Sequence, residues 1–147
     1  MAILYSLVSS CHPPGCFLYA QNHQGNTFRG GGLFYFVSTA NTGVSIGLLN
    51  ARSDVHKATL IHDTIADRKL DVLALTETWV TSEAPDTVKL DVAPPGYHYQ
   101  VIDQHRGTST KKRGGGVTFV HADSIGVRPL DIGNTSCFEI LAVRLTT

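Results

Sequence analysis

The sequence has no net charge: 12 Lys and Arg stand against 12 Asp and Glu. A chain that grips nucleic acid through bulk charge is usually basic. That mode is excluded, and any contact with nucleic acid must be local. No apolar run approaches the roughly 18 residues that a membrane-spanning helix requires, so no transmembrane segment is expected. Cysteine is scarce and odd in number, with Cys11, Cys16 and Cys137 only. An odd count argues against a disulfide framework, and a reducing, intracellular compartment is the simpler expectation. Cys11, His12, Cys16 and His23 fit the spacing of no common structural zinc site, and Pro13-Pro14-Gly15 between them reads as a turn. Ala2 to Val8 is apolar, but the run is short and no Lys or Arg precedes it, so it does not read as a secretory signal.

What remains is the composition of a folded protein. The chain has 147 residues, 42% hydrophobic and 16% charged, enough for one domain with a core. The pattern divides it near Val44. Residues 1–43 show no lasting periodicity and read as a poorly defined leader. Within them only the aromatic run Leu33 to Val37 suggests a strand.

From Val44 onward the organisation is clearer. Val44 to Leu49 is short, apolar and bounded by polar residues, which predicts a buried strand with Asn50 at its end. Ser53 and Asp54 are good helix N-caps, and a helix is predicted from about Val55 to Leu70. Val55, Ala58, Ile61, Ile65, Ala66 and Leu70 share one face, interrupted by His62 and Lys69. Val72 to Leu75 predicts a second buried strand, with Thr76 and Glu77 at its end. Strand, helix and strand with short links form a βαβ unit, whose strands run parallel. Asn50 and Glu77 are therefore expected at the same edge of the sheet, where ligand sites of open α/β sheets gather.

Beyond this unit, residues 81–92 read as a loop or short helix, and Ala93-Pro94-Pro95-Gly96 as a turn. Tyr97 to Ile102, Val117 to His121 and Cys137 to Leu145 read as strands. The last of these is expected to leave an edge for a further strand to cover. Between Gln100 and Gly116, Arg106, Lys111, Lys112 and Arg113 outnumber Asp103 by three, which reads first as a solvated hairpin loop. Gly114 to Gly116 reads as a bulge or close backbone approach, because no helix follows to make a phosphate loop of it.

Phosphodiester hydrolysis needs a hard cation on oxygen ligands and a positioned water. Glu77 has the carboxylate and Asn50 the amide that such a site uses. Taken alone, each is ordinary: a solvated glutamate and a turn asparagine. The surrounding wording adds to them. Leu48-Leu49-Asn50-Ala51-Arg52-Ser53 and Leu73-Ala74-Leu75-Thr76-Glu77-Thr78-Trp79 resemble the first two motifs of the endonuclease/exonuclease/phosphatase domain of LINE-type retrotransposons. Pro94-Pro95-Gly96-Tyr97, Arg113-Gly114-Gly115-Gly116-Val117 and Ser136-Cys137-Phe138-Glu139 are similar to its next stretches, in order.

The resemblance covers residues 44–147 and implies the N-terminal portion of such a domain. The implied fold class is α+β, a partial two-layer β-sandwich flanked by helices and truncated at the C-terminus. It implies that Glu77 binds the metal, that Asn50 contacts the phosphate and helps arrange the metal site, and that the cofactor is Mg²⁺. The implied activity is DNA nicking in the nucleus, with a reverse transcriptase domain downstream in the intact element. The family's later Tyr-Arg-Pro-Pro, Gly-Asp-x-Asn and Ser-Asp-His stretches do not occur in this sequence. His56, His62, His98, His105 and His121 match none of them and read as surface or loop residues. The expectation is a fragment with little or no nuclease activity. Two alternatives stay open: a non-enzymatic relic or interaction module, and a superfamily phosphatase acting on a small substrate.

Overall fold

The computed structural model describes residues 2–12, 15–21, 27–30, 34–38, 43–52, 54, 56–80, 84–101, 116–131 and 139–147. Among these residues ten strands and two helices follow one another as β1 (Ala2–His12), β2 (Gly15–Gln21), β3 (Thr27–Gly30), β4 (Phe34–Ser38), β5 (Ser45–Asn50), α1 (Ala58–Arg68), β6 (Val72–Thr76), α2 (Asp86–Val92), β7 (Tyr97–Val101), β8 (Val117–Ala122), β9 (Gly126–Leu130) and β10 (Glu139–Thr146). The fold is α+β. One five-stranded sheet runs β3-β2-β1-β10-β9 and the other β4-β5-β6-β8-β7. The second is mixed, because β5 and β6 are parallel while their outer neighbours run antiparallel.

β6 explains the architecture. All its residues are buried, which requires cover on both faces of its sheet. Val72 and Ala74 join Ile46 and Leu48 of β5, Val117 and Phe119 of β8, and Val143 and Leu145 of β10 in one core. That cluster packs one sheet against the other. Leu73 and Leu75 point the opposite way, as alternation demands. They meet Leu49, Val120, Ile61 and Ile65 of α1, Leu70, and Val92 of α2. The uninterrupted apolar run Val72 to Leu75 is thus the signature of a strand with sheet on one side and helices on the other.

The βαβ unit forms as the pattern predicts. β5 and β6 are parallel, with Ile46 opposite Val72 and Asn50 opposite Thr76. α1 is shorter than the predicted helix. Ile61 and Ile65 are its buried residues, and Leu70 is buried just past its end. Ala66 is exposed, and Val55 lies outside the described residues. The N-cap position is Lys57, with no side-chain cap, whereas Ser53 and Asp54 were the expected caps. Ser53 lies outside the described residues, and the Asp54 carboxylate is engaged by Tyr99 across the fold. A buried long-range partner outcompetes the local capping bond. At the other end, left-handed Lys69 closes the helix, and Leu70 N–H donates to Ile65 O at 3.0 Å.

Three further differences have physical causes. Residues 1–43 contribute β1 to β4, although only the last was legible as a strand. The partner of β1 is β10, remote in sequence, with Ala2 opposite Thr146 and Ser9 opposite Glu139. Second, β10 leaves no open edge, since it lies between β1 and β9. Third, β9 was not expected, because Gly126 and Pro129 disguise it. Its place at a sheet edge is where proline is tolerated. At the turn before β7, Tyr97 N–H donates to Pro94 O at 3.0 Å and Gly96 has φ 83. Proline followed by glycine at the two central positions is what a type II turn requires.

Candidate functional site

Asn50 closes β5, directly opposite Thr76, which closes β6. Adjacent strands lie about 4.8 Å apart and residues advance about 3.3 Å, so the backbones of Asn50 and Glu77 are within roughly 6 Å. The ladder continues one step further, with Ala51 N–H donating to Thr76 O at 2.8 Å. Both chains then turn sharply. Arg52 (φ 46), Glu77 (φ 55) and Trp79 (φ 59) all adopt left-handed backbone. Among the described residues the only other non-glycine case is Lys69, the helix terminus. Such conformations cost on the order of 1–3 kcal/mol each and persist where the surroundings over-determine them.

Those surroundings are identifiable. Thr78 is fully buried. Its N–H donates to Gly116 O at 3.4 Å, and its carbonyl accepts from Asp54 N–H at 3.4 Å. A Cβ on Gly116 would lie 2.6 Å from Thr78 Oγ1 and 3.5 Å from Trp79 N. Gly116 therefore has a steric reason to be glycine, in addition to its φ of 94. This is the close backbone approach expected of the glycine run; Gly114 and Gly115 lie outside the described residues. On the other chain, Lys57 Nζ donates to Ala51 O, and reaches Arg52 O at 3.5 Å. Tyr99 OH donates to Asp54 Oδ2, and Asp54 is fully buried. Burial, followed by that hydrogen bond, pushes the Tyr99 phenol well above its ordinary value.

Within this frame Glu77 is half-buried, and its Oε2 accepts from Trp79 Nε1 at 3.3 Å in an exposed contact. Asn50 Oδ1 is buried with no hydrogen-bond partner among the described residues, and so is Thr76 Oγ1. A buried amide oxygen left without a donor is uncommon and costly. Such an oxygen and a carboxylate are hard donors of the kind Mg²⁺ accepts, with water filling the other positions. Both residue types are chemically able to ligate Mg²⁺, and among the described residues no group of three or more His, Cys, Asp or Glu could hold a metal by itself.

The other residues considered from sequence lie elsewhere or play plainer parts. Trp79 is a rim residue, 53% exposed, and Arg52 is exposed at the tip. His121 is opposite Val72, at the far end of β6 from Glu77, and contacts the His98 ring at 5.5 Å. His98 Nε2 meets Asp123 Oδ1 at 3.0 Å. His56 is exposed and His62 half-buried on α1. Cys11 and Cys16 are register partners in the β1–β2 hairpin, while His23, His105 and the basic stretch around Lys111 lie outside the described residues. No local signal announced the Asp54–Tyr99 contact: the partners are 45 residues apart.

No protein-family model matches the chain, and no curated protein or solved structure is significantly similar to it. The arrangement must therefore be read from its own chemistry: an amide and a carboxylate at the ends of adjacent strands, left-handed backbone at Arg52, Glu77 and Trp79, and an exposed aromatic two residues beyond the carboxylate. No helix among the described residues is long and apolar enough to cross a membrane.

Proposed function

We propose that these residues carry part of a Mg²⁺-dependent phosphodiester-cleaving site of the LINE endonuclease type, within an endonuclease/exonuclease/phosphatase-like sandwich. The reading is supported by the pairing of Asn50 with Thr76 at the ends of the parallel strands, which puts Glu77 on the residue after that pair, and by the Asn50 amide oxygen, buried without a donor among the described residues. Two sheets joined by one core, with both helices on the outer face of the mixed sheet, are compatible with that family's architecture.

Bound there, Mg²⁺ would polarise a phosphate oxygen and lower the pKa of a coordinated water. Glu77 would hold the cation through its carboxylate. Asn50 would present its amide oxygen to the cation and its amide N–H to a phosphate oxygen. Arg52, exposed on the adjoining turn, supplies positive charge in a chain that has none to spare overall. The substrate class is a DNA phosphodiester.

The sequence contains none of the Gly-Asp-x-Asn or Ser-Asp-His residues that the resemblance assigns to the rest of the metal site and to water activation. For these residues by themselves the expectation is binding without efficient cleavage. The test is calorimetric titration with MgCl₂ of the full chain and of Glu77→Ala and Asn50→Ala, together with a supercoiled-plasmid nicking assay. Saturable binding that weakens in both variants, with little nicking, is the expected outcome. Absence of Mg²⁺ binding, or binding indifferent to both substitutions, would sink the reading. Robust nicking lost in Glu77→Ala would keep the nuclease and overturn its inactivity.

A further inference from the structure

Trp79 is the only tryptophan in the chain, and core packing does not account for its conformation. It is 53% exposed, so it adds little to the interior, yet it occupies left-handed backbone at φ 59. For a bulky side chain that region is an outlier. The backbone on either side is built to keep it there: Gly116 packs against Thr78 and against Trp79 N, at separations that a Cβ would close to 2.6 and 3.5 Å. The polar contact this geometry makes is the hydrogen bond from the indole Nε1 to Glu77 Oε2 at 3.3 Å. Only buried Thr78 separates the two residues.

We propose that Trp79 is a positioning residue for Glu77, aiming its carboxylate at a divalent cation and reporting the cation's arrival. The inference rests on the reading of Glu77 as a magnesium ligand. The direction of a carboxylate is set by the donors on its oxygens. A donor fixed on one oxygen restricts its rotation and sets the direction the group presents to a metal. Groups that orient metal ligands in this way typically contribute 10–100-fold to affinity. The indole is rigid and its backbone is pinned by Gly116, so it holds a definite direction. Phenylalanine at the same position keeps the aromatic bulk but has no N–H to donate.

Because the donor is an indole, charge brought to Glu77 alters the field on the chain's single tryptophan. Intrinsic fluorescence of the full chain is followed during MgCl₂ titration, beside calorimetry on the wild type, Glu77→Gln and Trp79→Phe. The expected result is a saturable change in Trp79 emission whose midpoint matches the calorimetric one and which disappears in Glu77→Gln. Trp79→Phe, with unchanged far-ultraviolet circular dichroism, should bind Mg²⁺ about 10-fold or more weakly. If Mg²⁺ binds in a Glu77-dependent way while emission stays constant and Trp79→Phe binds normally, the positioning role is wrong and the metal site stands. If the wild type binds no Mg²⁺, or Glu77→Gln binds equally well, both fail together. The wild-type titration needs no substitution, so constant emission during Glu77-dependent binding overturns the inference even where Trp79→Phe does not fold.

Discussion

Gly116→Ala is the most discriminating single change in this fold. Two penalties act on it. The backbone at φ 94 is one that a side chain adopts at a cost on the order of 1–3 kcal/mol. The added methyl would also stand 2.6 Å from Thr78 Oγ1, well inside van der Waals contact. Thr78 is fully buried and cannot swing into solvent, so the overlap is relieved by moving the β6 tip. Overpacking of this kind typically costs about 1–3 kcal/mol. Against these stands a gain of about 0.4–1 kcal/mol from the stiffer unfolded chain. The net loss is about 1–6 kcal/mol, measured by urea denaturation. Gly96→Ala is the internal control, because Gly96 has a similar φ of 83 but nothing within 4 Å of a built Cβ. It carries the conformational penalty alone. The two losses should differ by about 1–3 kcal/mol, the overlap contribution. If Gly116→Ala is no worse than Gly96→Ala, the close approach that organises Glu77 and Trp79 is not real.

Two further predictions concern the frame around the site. Ile65 of α1 is buried against the mixed sheet, so Ile65→Ala should lower stability by about 2–5 kcal/mol in denaturant titration, whereas exposed Leu60 should tolerate alanine within about 0.5 kcal/mol. Tyr99→Phe removes the donor to buried Asp54 and should cost about 1.5–3 kcal/mol near neutral pH. It also changes the response to alkali. The unfolded phenol ionises at about 10, while burial and the Asp54 bond keep the folded one protonated beyond that. Its contribution is thus whole below pH 10 and is lost as the pH climbs toward the folded value. Denaturation midpoints at successive alkaline pH values should fall more steeply in the wild type, by up to about 1.4 kcal/mol per pH unit, than in Tyr99→Phe. Parallel curves would refute the assignment.

The central βαβ unit was legible because its signals are local. Val72 to Leu75 is apolar at every position, and Ile61, Ile65 and Leu70 recur at helical spacing; each reads correctly without knowledge of the rest. From those, the shared edge of Asn50 and Glu77 follows through the handedness of a short crossover. The strands of residues 2–30 were not legible, since β1 finds its place through β10 at the other end of the chain. Asp54 misled for the same reason: a residue with good capping chemistry was taken by a buried tyrosine hydroxyl from β7.

Sequence alone thus determined that Asn50 and Glu77 leave neighbouring parallel strands together, because strand order and direction there are set by periodicity and loop length. Tertiary structure decided how those two residues are held. The left-handed turns at Arg52, Glu77 and Trp79, the glycine demanded at 116 and the indole bond to Glu77 belong to the folded arrangement. Backbone strain of that sort has no local preference to announce it. It exists only because strands distant in sequence close around the tip and leave it no other conformation.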